Sequence, residues 1–349
     1  MPVPLIIDTD TAGDDCVAIL EGLMDPTANL LGVTICAGNI GFEGQIRNAL
    51  LTINAAGKLN QVPVYPGAQV PLKKTWHSAT EVFGDGVGGL RADVSSHTLS
   101  DISATEALLE ASKKYAGDLI VLCIAPLTNI ALAIQADSEF VSRVKRFYVM
   151  GGSNNGRGNV TASAEFNFYV DPDAAQILFT SGAHITVVPW DPVCLRDTVF
   201  DKFRRDRIHD LNTPLSHFYG RVHRDSLAFD LSVGLAGSVH CDSATCAIAL
   251  HPDIAVEMRP YNISIECDSE LTRGYAAMSW CLPGKSTTVH GLPANALVVE
   301  KIDTEKLHSY VYNILSNKVA PSEKFSYAEG DRENLGISDK PRSAGYIQE

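Results

Sequence analysis

Residues 3–15 read Val3-Pro4-Leu5-Ile6-Ile7-Asp8-Thr9-Asp10-Thr11-Ala12-Gly13-Asp14-Asp15. A short apolar run, Val3–Ile7, gives way to four carboxylates within eight residues. The run has the length and composition of a buried strand that ends in a functional loop. Val17, Ala18, Leu20, Leu23 and Met24 then follow at helical spacing, so Asp14–Met24 is expected to be a helix, stopped at Asp25-Pro26.

The same alternation continues outward. Leu30–Cys36 is a second strand ending at Ala37-Gly38-Asn39, Ile46–Ala56 a helix closed by Gly57, and Val62–Tyr65 a third strand. Farther on, strands Leu119–Ile124, Arg146–Met150 and His184–Val188 alternate with helices Ala104–Tyr115, Leu127–Gln135 and Asp173–Phe179. Such a pattern predicts an α/β protein: one Rossmann-like domain with a largely parallel central sheet, helices on both faces and right-handed crossovers.

Other stretches depart from the alternation. Residues 71–98 are rich in Gly, Ser, His and Thr and read as a long loop of the kind that forms lids. Residues 201–230 read as polar helix and loop. A helix is expected at Ala244–Leu250 and another at Thr304–Leu315. Additional β elements are expected at Val256–Met258, Ile263–Glu266, Thr287–His290 and Ala296–Glu300. With no internal linker, residues 1–317 form one domain in this reading, and 318–349 are a C-terminal extension.

The chain has 349 residues, with 28 Lys+Arg against 41 Asp+Glu, a formal net charge of −13. That balance argues against nucleic-acid binding, which needs a basic footprint. No apolar run approaches the length of a membrane span, and the N-terminus lacks the pattern of a secretory signal. The eight cysteines have no metal-type spacing. They read as small buried hydrophobes in a reducing cytoplasm.

Asp8, Asp10, Asp14 and Asp15 crowd one strand end. Ligands bind at the carboxyl ends of strands in such sheets, and close carboxylates repel unless a cation neutralises them. Oxygen ligands of this kind suit Ca²⁺ or Mg²⁺. Helix capping explains one or two of the acids, not four. Asn39, Thr128 and Met150 end or follow later strands. Asn159, Glu165 and Asn167 form a polar set suited to a sugar with several hydroxyls. Asp242 precedes an apolar helix, as a cap or a further carboxylate ligand. Two other readings stay open: a Mg²⁺-dependent phosphohydrolase with Asp8 as nucleophile, and a non-catalytic protein binding nucleosides or ribose.

In this combination the sequence resembles the calcium-dependent, inosine-uridine preferring nucleoside hydrolases. The matching pieces are Asp8-Thr-Asp10 with Asp14-Asp15, Asn39, Pro126-Leu-Thr128-Asn129, Met150-Gly-Gly, Asn159, Ala164-Glu-Phe-Asn167 and Asp242. The resemblance implies hydrolysis of ribonucleosides to base and ribose. It implies Ca²⁺ held by Asp10, Asp15, the Thr128 carbonyl and Asp242, with Asp10 as general base. Asp14 and Asn39 would bind the 2′-hydroxyl, and Asp242 and Asn167 the 3′-hydroxyl. Asn159, Glu165 and Asn167 would bind the 5′ end, beside Met150. It also implies a homo-oligomer, dimer or tetramer. Cys241 stands where the family has a His, which places the sequence nearer a cysteine-bearing subgroup. Candidates for base contact are Trp76, Phe83, Trp190, Tyr219, His223 and His240. Because stacking rewards large π faces, purine nucleosides are the expected preference.

Overall fold

A computed structural model describes residues 1–327 apart from Thr98 and Asn155. Most of the expected extension, residues 328–349, lies outside the described residues. In chain order the strands are β1 (Val3–Thr9), β2 (Ala28–Ile35), β3 (Val64–Pro66), β4 (Leu90–Arg91), β5 (Ile120–Cys123) and β6 (Arg146–Met150). They continue with β7 (Ile185–Val188), β8 (Val199–Asp201), β9 (Gly237–Val239), β10 (Ala255–Ile265), β11 (Ala276–Trp280), β12 (Ala296–Ile302) and β13 (Ser326–Tyr327).

Nine of them form one sheet in the order β11-β10-β12-β7-β6-β5-β1-β2-β3. From β12 to β3 every pairing is parallel, whereas β10 runs antiparallel to both β12 and β11. The chain begins at β1, steps outward to β3, then returns to β5 on the other side of β1. The winding direction thus reverses between β1 and β5, and the crevice outside their carboxyl ends is where such sheets bind ligands. The acidic loop leaves β1 there, and the helix Thr128–Ala136 follows β5.

Alternation along β1 separates two cores. Leu5 and Ile7 pack with the helices Asp15–Met24, Phe42–Ala55 and Cys241–Leu250. Ile6 turns to the other face, with Leu108, Ile130 and Leu178. All three β1 side chains are buried, and each contributes about 1.5–3 kcal/mol of hydrophobic stabilisation. Both faces of β1 are covered, which is why its sequence is continuously apolar rather than alternating.

The later β region differs from the sequence reading. Val256–Met258 and Ile263–Glu266 belong to the single strand β10, which carries register shifts near Glu257. Its partner β11 has the sequence Ala-Ala-Met-Ser-Trp, which lacks the β-branched residues that mark strands. Thr287 makes only an isolated bridge to Pro293. Residues 201–230 resolve into the helices Lys202–His209, Pro214–Val222 and Arg224–Ser232, and β8 pairs with β9.

The segment after the last helix, Thr304–Leu315, is docked. Val319 and Phe325 pack against the first core. The Asn54 side chain accepts from Glu323 N at 2.6 Å and donates to Glu323 O at 3.0 Å. Ser326 and Tyr327 pair with Arg91 and Leu90, and the Arg221 guanidinium lies 4.3 Å from the Tyr327 ring centre. Truncation after Asn317 is therefore expected to lower stability by about 2 kcal/mol, the order of one buried aromatic side chain. Urea unfolding checks this; an unchanged midpoint and slope would show the docking to be marginal.

Candidate active site

The end of β1 turns on Gly13, whose φ of +59° is open to glycine and strained for other residues. Gly38, just past β2, has a second requirement: a Cβ there would stand 1.9 Å from Asp10 Oδ2. The bare backbone at 38 makes room for the Asp10 carboxylate. Asn39 N then donates to Asp10 Oδ2 at 2.8 Å, and Asn39 Nδ2 donates to Asp15 Oδ2 at 3.2 Å. Asp15 also accepts from Thr9 Oγ1 at 2.6 Å and Ala12 N at 3.1 Å. Across the fold, Asp242 N donates to Asp14 Oδ2 at 2.8 Å, which ties the helix Cys241–Leu250 to the acidic loop.

Asp10 Oδ1 has no hydrogen-bond partner although it is fully buried. An unpartnered carboxylate oxygen in that position is costly unless something polar completes it. Burial pushes the Asp10 carboxyl well above its usual range, and the Asp15 charge adds to the effect. Asp242 is likewise raised well above, by burial and then by Asp14, Asp15 and Asp10. Asp14 is pushed up to about 7 and Asp15 to about 6, both mainly by burial. Among the described residues, no group of three or more His, Cys, Asp or Glu side chains stands in an arrangement that could hold a metal ion. In chemistry, mutually repelling carboxylates with an unsatisfied oxygen at Asp10 suit a hard cation.

The pKa shifts carry a consequence for stability. A carboxyl raised in the fold keeps its proton at a pH where the unfolded chain, with a pKa of about 4, has lost it. The bare cluster therefore loses stability progressively as pH rises from about 4 to about 7. A bound cation offsets that loss and competes with the protons. CaCl₂ is expected to raise Tm more at pH 8 than at pH 5 in a thermal-shift measurement. Equal shifts at both would show that these carboxylates do not bind it.

A cavity of about 570 Å³ opens above the cluster. Asp14, Asn39, Met150, Asn159, Glu165, Asn167 and Asp242 line it. Asp10, Asp15 and Thr128 lie beneath, almost fully buried. Glu165 caps the helix Phe166–Val170 and accepts from Gly152 N, Asn167 N and Phe168 N at 2.8, 2.8 and 3.3 Å. Burial nevertheless pushes its carboxyl up to about 7. Asn167 Nδ2 donates to Met150 O at 3.2 Å, and Asn159 Oδ1 accepts from Phe166 N at 2.9 Å. Thr128 Oγ1 donates to Asp171 Oδ2 at 2.7 Å. Asp8 is fully buried and held by Thr34 Oγ1 and Asn129 Nδ2 at 2.6 and 2.8 Å. Like Asp10 it does not line the cavity, and its Oδ2, like Asp10 Oδ1, has no hydrogen-bond partner.

The candidates for base contact divide. Phe83 and Trp190 line the cavity. Trp76 does not: its indole N–H donates to Gly38 O at 2.9 Å, and the ring packs beside Phe166. Tyr219, His223 and His240 also fall off the wall, as parts of a buried stack with Phe200. Tyr219 Oη and His240 Nε2 are 2.8 Å apart, and burial holds the His240 pKa well below its usual value and His223 at about 4. Their helical and strand neighbours turn these rings into the core. The wall also contains His77, Glu81, Tyr169, Ser226, Phe229 and Asp230, none singled out from sequence. Ser226 and Asp230 are polar residues of the helix Arg224–Ser232, which read as a solvated face, and the packing of that helix against β9 places them on the wall.

Fold, switch-point crevice and acidic floor together form a ligand site at the strand ends of a parallel sheet. The chain belongs to the inosine-uridine preferring nucleoside hydrolase family, which matches residues 5–309. It is 44% identical over 186 residues to uridine nucleosidase 1 of Arabidopsis thaliana, covering 53% of this chain and 55% of that protein. It is 32% identical over 314 residues to the pyrimidine-specific ribonucleoside hydrolase RihA of Shewanella sp. (strain MR-4), covering 87% and 93%. The purine-preferring ribonucleoside hydrolase from Gardnerella vaginalis has a similar structure, with a TM-score of 0.79 at 29% identity over 90% of this chain and 98% of that one.

Proposed function

We propose that the protein cleaves the N-glycosidic bond of ribonucleosides by direct attack of water at C1′, with Asp10 as general base. The observation that carries this is Asp10 Oδ1, buried and without a partner under a cavity whose ends differ in chemistry. Asp14, Asn39 and Asp242 offer acceptors and a donor for the 2′- and 3′-hydroxyls at one end. Asn159, Glu165 and Asn167 receive the 5′-hydroxyl at the other, and Met150 packs against the sugar. Ca²⁺ held by Asp10, Asp15, the Thr128 carbonyl and Asp242 would supply the charge that orients the diol and acidifies water. The surrounding carboxylates stabilise positive charge on the ribosyl group as the bond breaks. Water and base on opposite faces of the ring give inversion.

Phe83, Trp190 and Phe229 present aromatic surface to the cavity, and inosine is expected to be a better substrate than uridine. The names of the Arabidopsis and Shewanella relatives favour the opposite order. Release of base and ribose from inosine, guanosine, adenosine and uridine, with and without chelator, tests both the reaction and the order. Ribose binding without base release would support the binding-protein alternative. Free thiols at all eight cysteines suit a reducing cytoplasm, and sedimentation would test the homo-oligomer.

A further inference from the structure

We propose that Asp230 donates the proton that the departing base takes up as the C1′–N bond breaks. The inference rests on the nucleoside-hydrolase reading and names the residue for a step that reading leaves without one. A nucleoside base leaves poorly as an anion, so a positioned acid is worth a large factor in rate. The side chains near this wall narrow the choice. Cys241 lines the cavity, but burial raises its thiol well above the usual range, and a thiol is a weak donor. His240 has both ring nitrogens engaged, with Tyr219 Oη at 2.8 Å and Ser238 O at 3.0 Å. It is fully buried off the cavity. His77 reaches the cavity from the covering loop, but it is exposed, with its ring 5.6 Å from that of Tyr169.

Asp230 is seated differently. It lies on the helix Arg224–Ser232, and its Oδ2 accepts from Val239 N at 3.1 Å, two residues before Cys241. Its carbonyl accepts from Leu235 N at 2.9 Å, which fixes the end of the helix against the same wall. Oδ1 has no donor among the described residues, and the side chain lines the cavity among Phe229, Val233, Leu235 and Val239. Those neighbours make the wall apolar, and burial pushes the carboxyl up to about 6. Asp14 and Asp230 both line this cavity. With the ribose diol at Asp14 and Asp242, this wall borders the volume left for the base.

The proton balance closes. The C1′–N electron pair passes to the base, and the Oδ1 proton of Asp230 moves to a base nitrogen. Water adds its oxygen to C1′ and gives a proton to Asp10. Both carboxyl groups then return to their starting states by exchange with solvent.

Asp230→Asn keeps an acceptor for Val239 N and removes the acid. It is expected to lower kcat on inosine and uridine by about a hundredfold. The loss on 4-nitrophenyl β-D-ribofuranoside, whose leaving group needs no proton, should be at least about tenfold smaller, and Asp230→Glu should recover part of the nucleoside rate. Equal losses on both substrate types would indicate a structural role and overturn the proposal. So would a leaving-group-dependent loss in His77→Gln with none in Asp230→Asn. A wild-type protein that cleaves neither nucleosides nor the aryl riboside would instead overturn the hydrolase reading beneath it.

Discussion

Asp10→Asn is expected to reduce kcat on every nucleoside cleaved by about 10³-fold, with KM changed by less than about tenfold. The substitution keeps the acceptor for Asn39 N, 2.8 Å from Asp10 Oδ2, so the loop has no reason to move. It replaces the unpartnered Oδ1 with an amide nitrogen, which cannot accept a proton from water. The loss corresponds to about 4 kcal/mol of transition-state stabilisation. The proposed ribose contacts through Asp14, Asn39 and Asp242 would remain, which is why binding should survive. Steady-state kinetics and ribose binding by calorimetry separate the two effects. A variant with kcat intact would remove Asp10 from the chemistry.

Gly38→Ala should be almost as damaging, from outside the set of reacting groups. The new Cβ would meet Asp10 Oδ2 at 1.9 Å, Cγ at 2.6 Å and Cβ at 2.8 Å. The clash involves the whole buried side chain, not a flexible tip, so the carboxylate or the β2 end must shift. Overpacking of this kind costs about 1–3 kcal/mol of stability. A displacement near 1 Å at a reacting group can cost about 10²-fold in rate. The expected result is a folded protein with kcat down by about that factor and a diminished Ca²⁺ thermal shift. Gly41→Ala is the control, because a Cβ there meets nothing within 4 Å. Equal behaviour of the two variants would mean that the Asp10 pocket tolerates the methyl group.

Much of the sheet was legible because its central strands are buried on both faces. Val3–Ile7 is an uninterrupted apolar run and Leu30–Cys36 is apolar but for Thr34, and β1 and β2 lie over them. The acidic floor was legible because four carboxylates in eight residues exceed what helix capping can use. The base-side wall was not. Phe229 and Asp230 sit on a short helix with no clear apolar stripe, and only its packing with β9 gives them a ligand to face. Tyr219, His223 and His240 carry the right chemistry for a base but the wrong direction, since their rings stack on one another inside the core. Side-chain direction of that kind depends on tertiary packing and is invisible to local pattern.

The pairing of Ser326–Tyr327 with Leu90–Arg91 has a meaning for biosynthesis. Ser326 Oγ and Arg91 O meet across 235 positions of chain, and Asp242 N reaches Asp14 across 228. Translation delivers the acidic loop first and its partners last. For most of its synthesis, the growing polypeptide on the ribosome carries clustered carboxylates without the backbone donor from 242 and a covering loop without the strand that fastens it. The backbone donor to Asp14 and the pairing at Leu90–Arg91 can thus form only after residues 242 and 327 have been made, however early the first strand is.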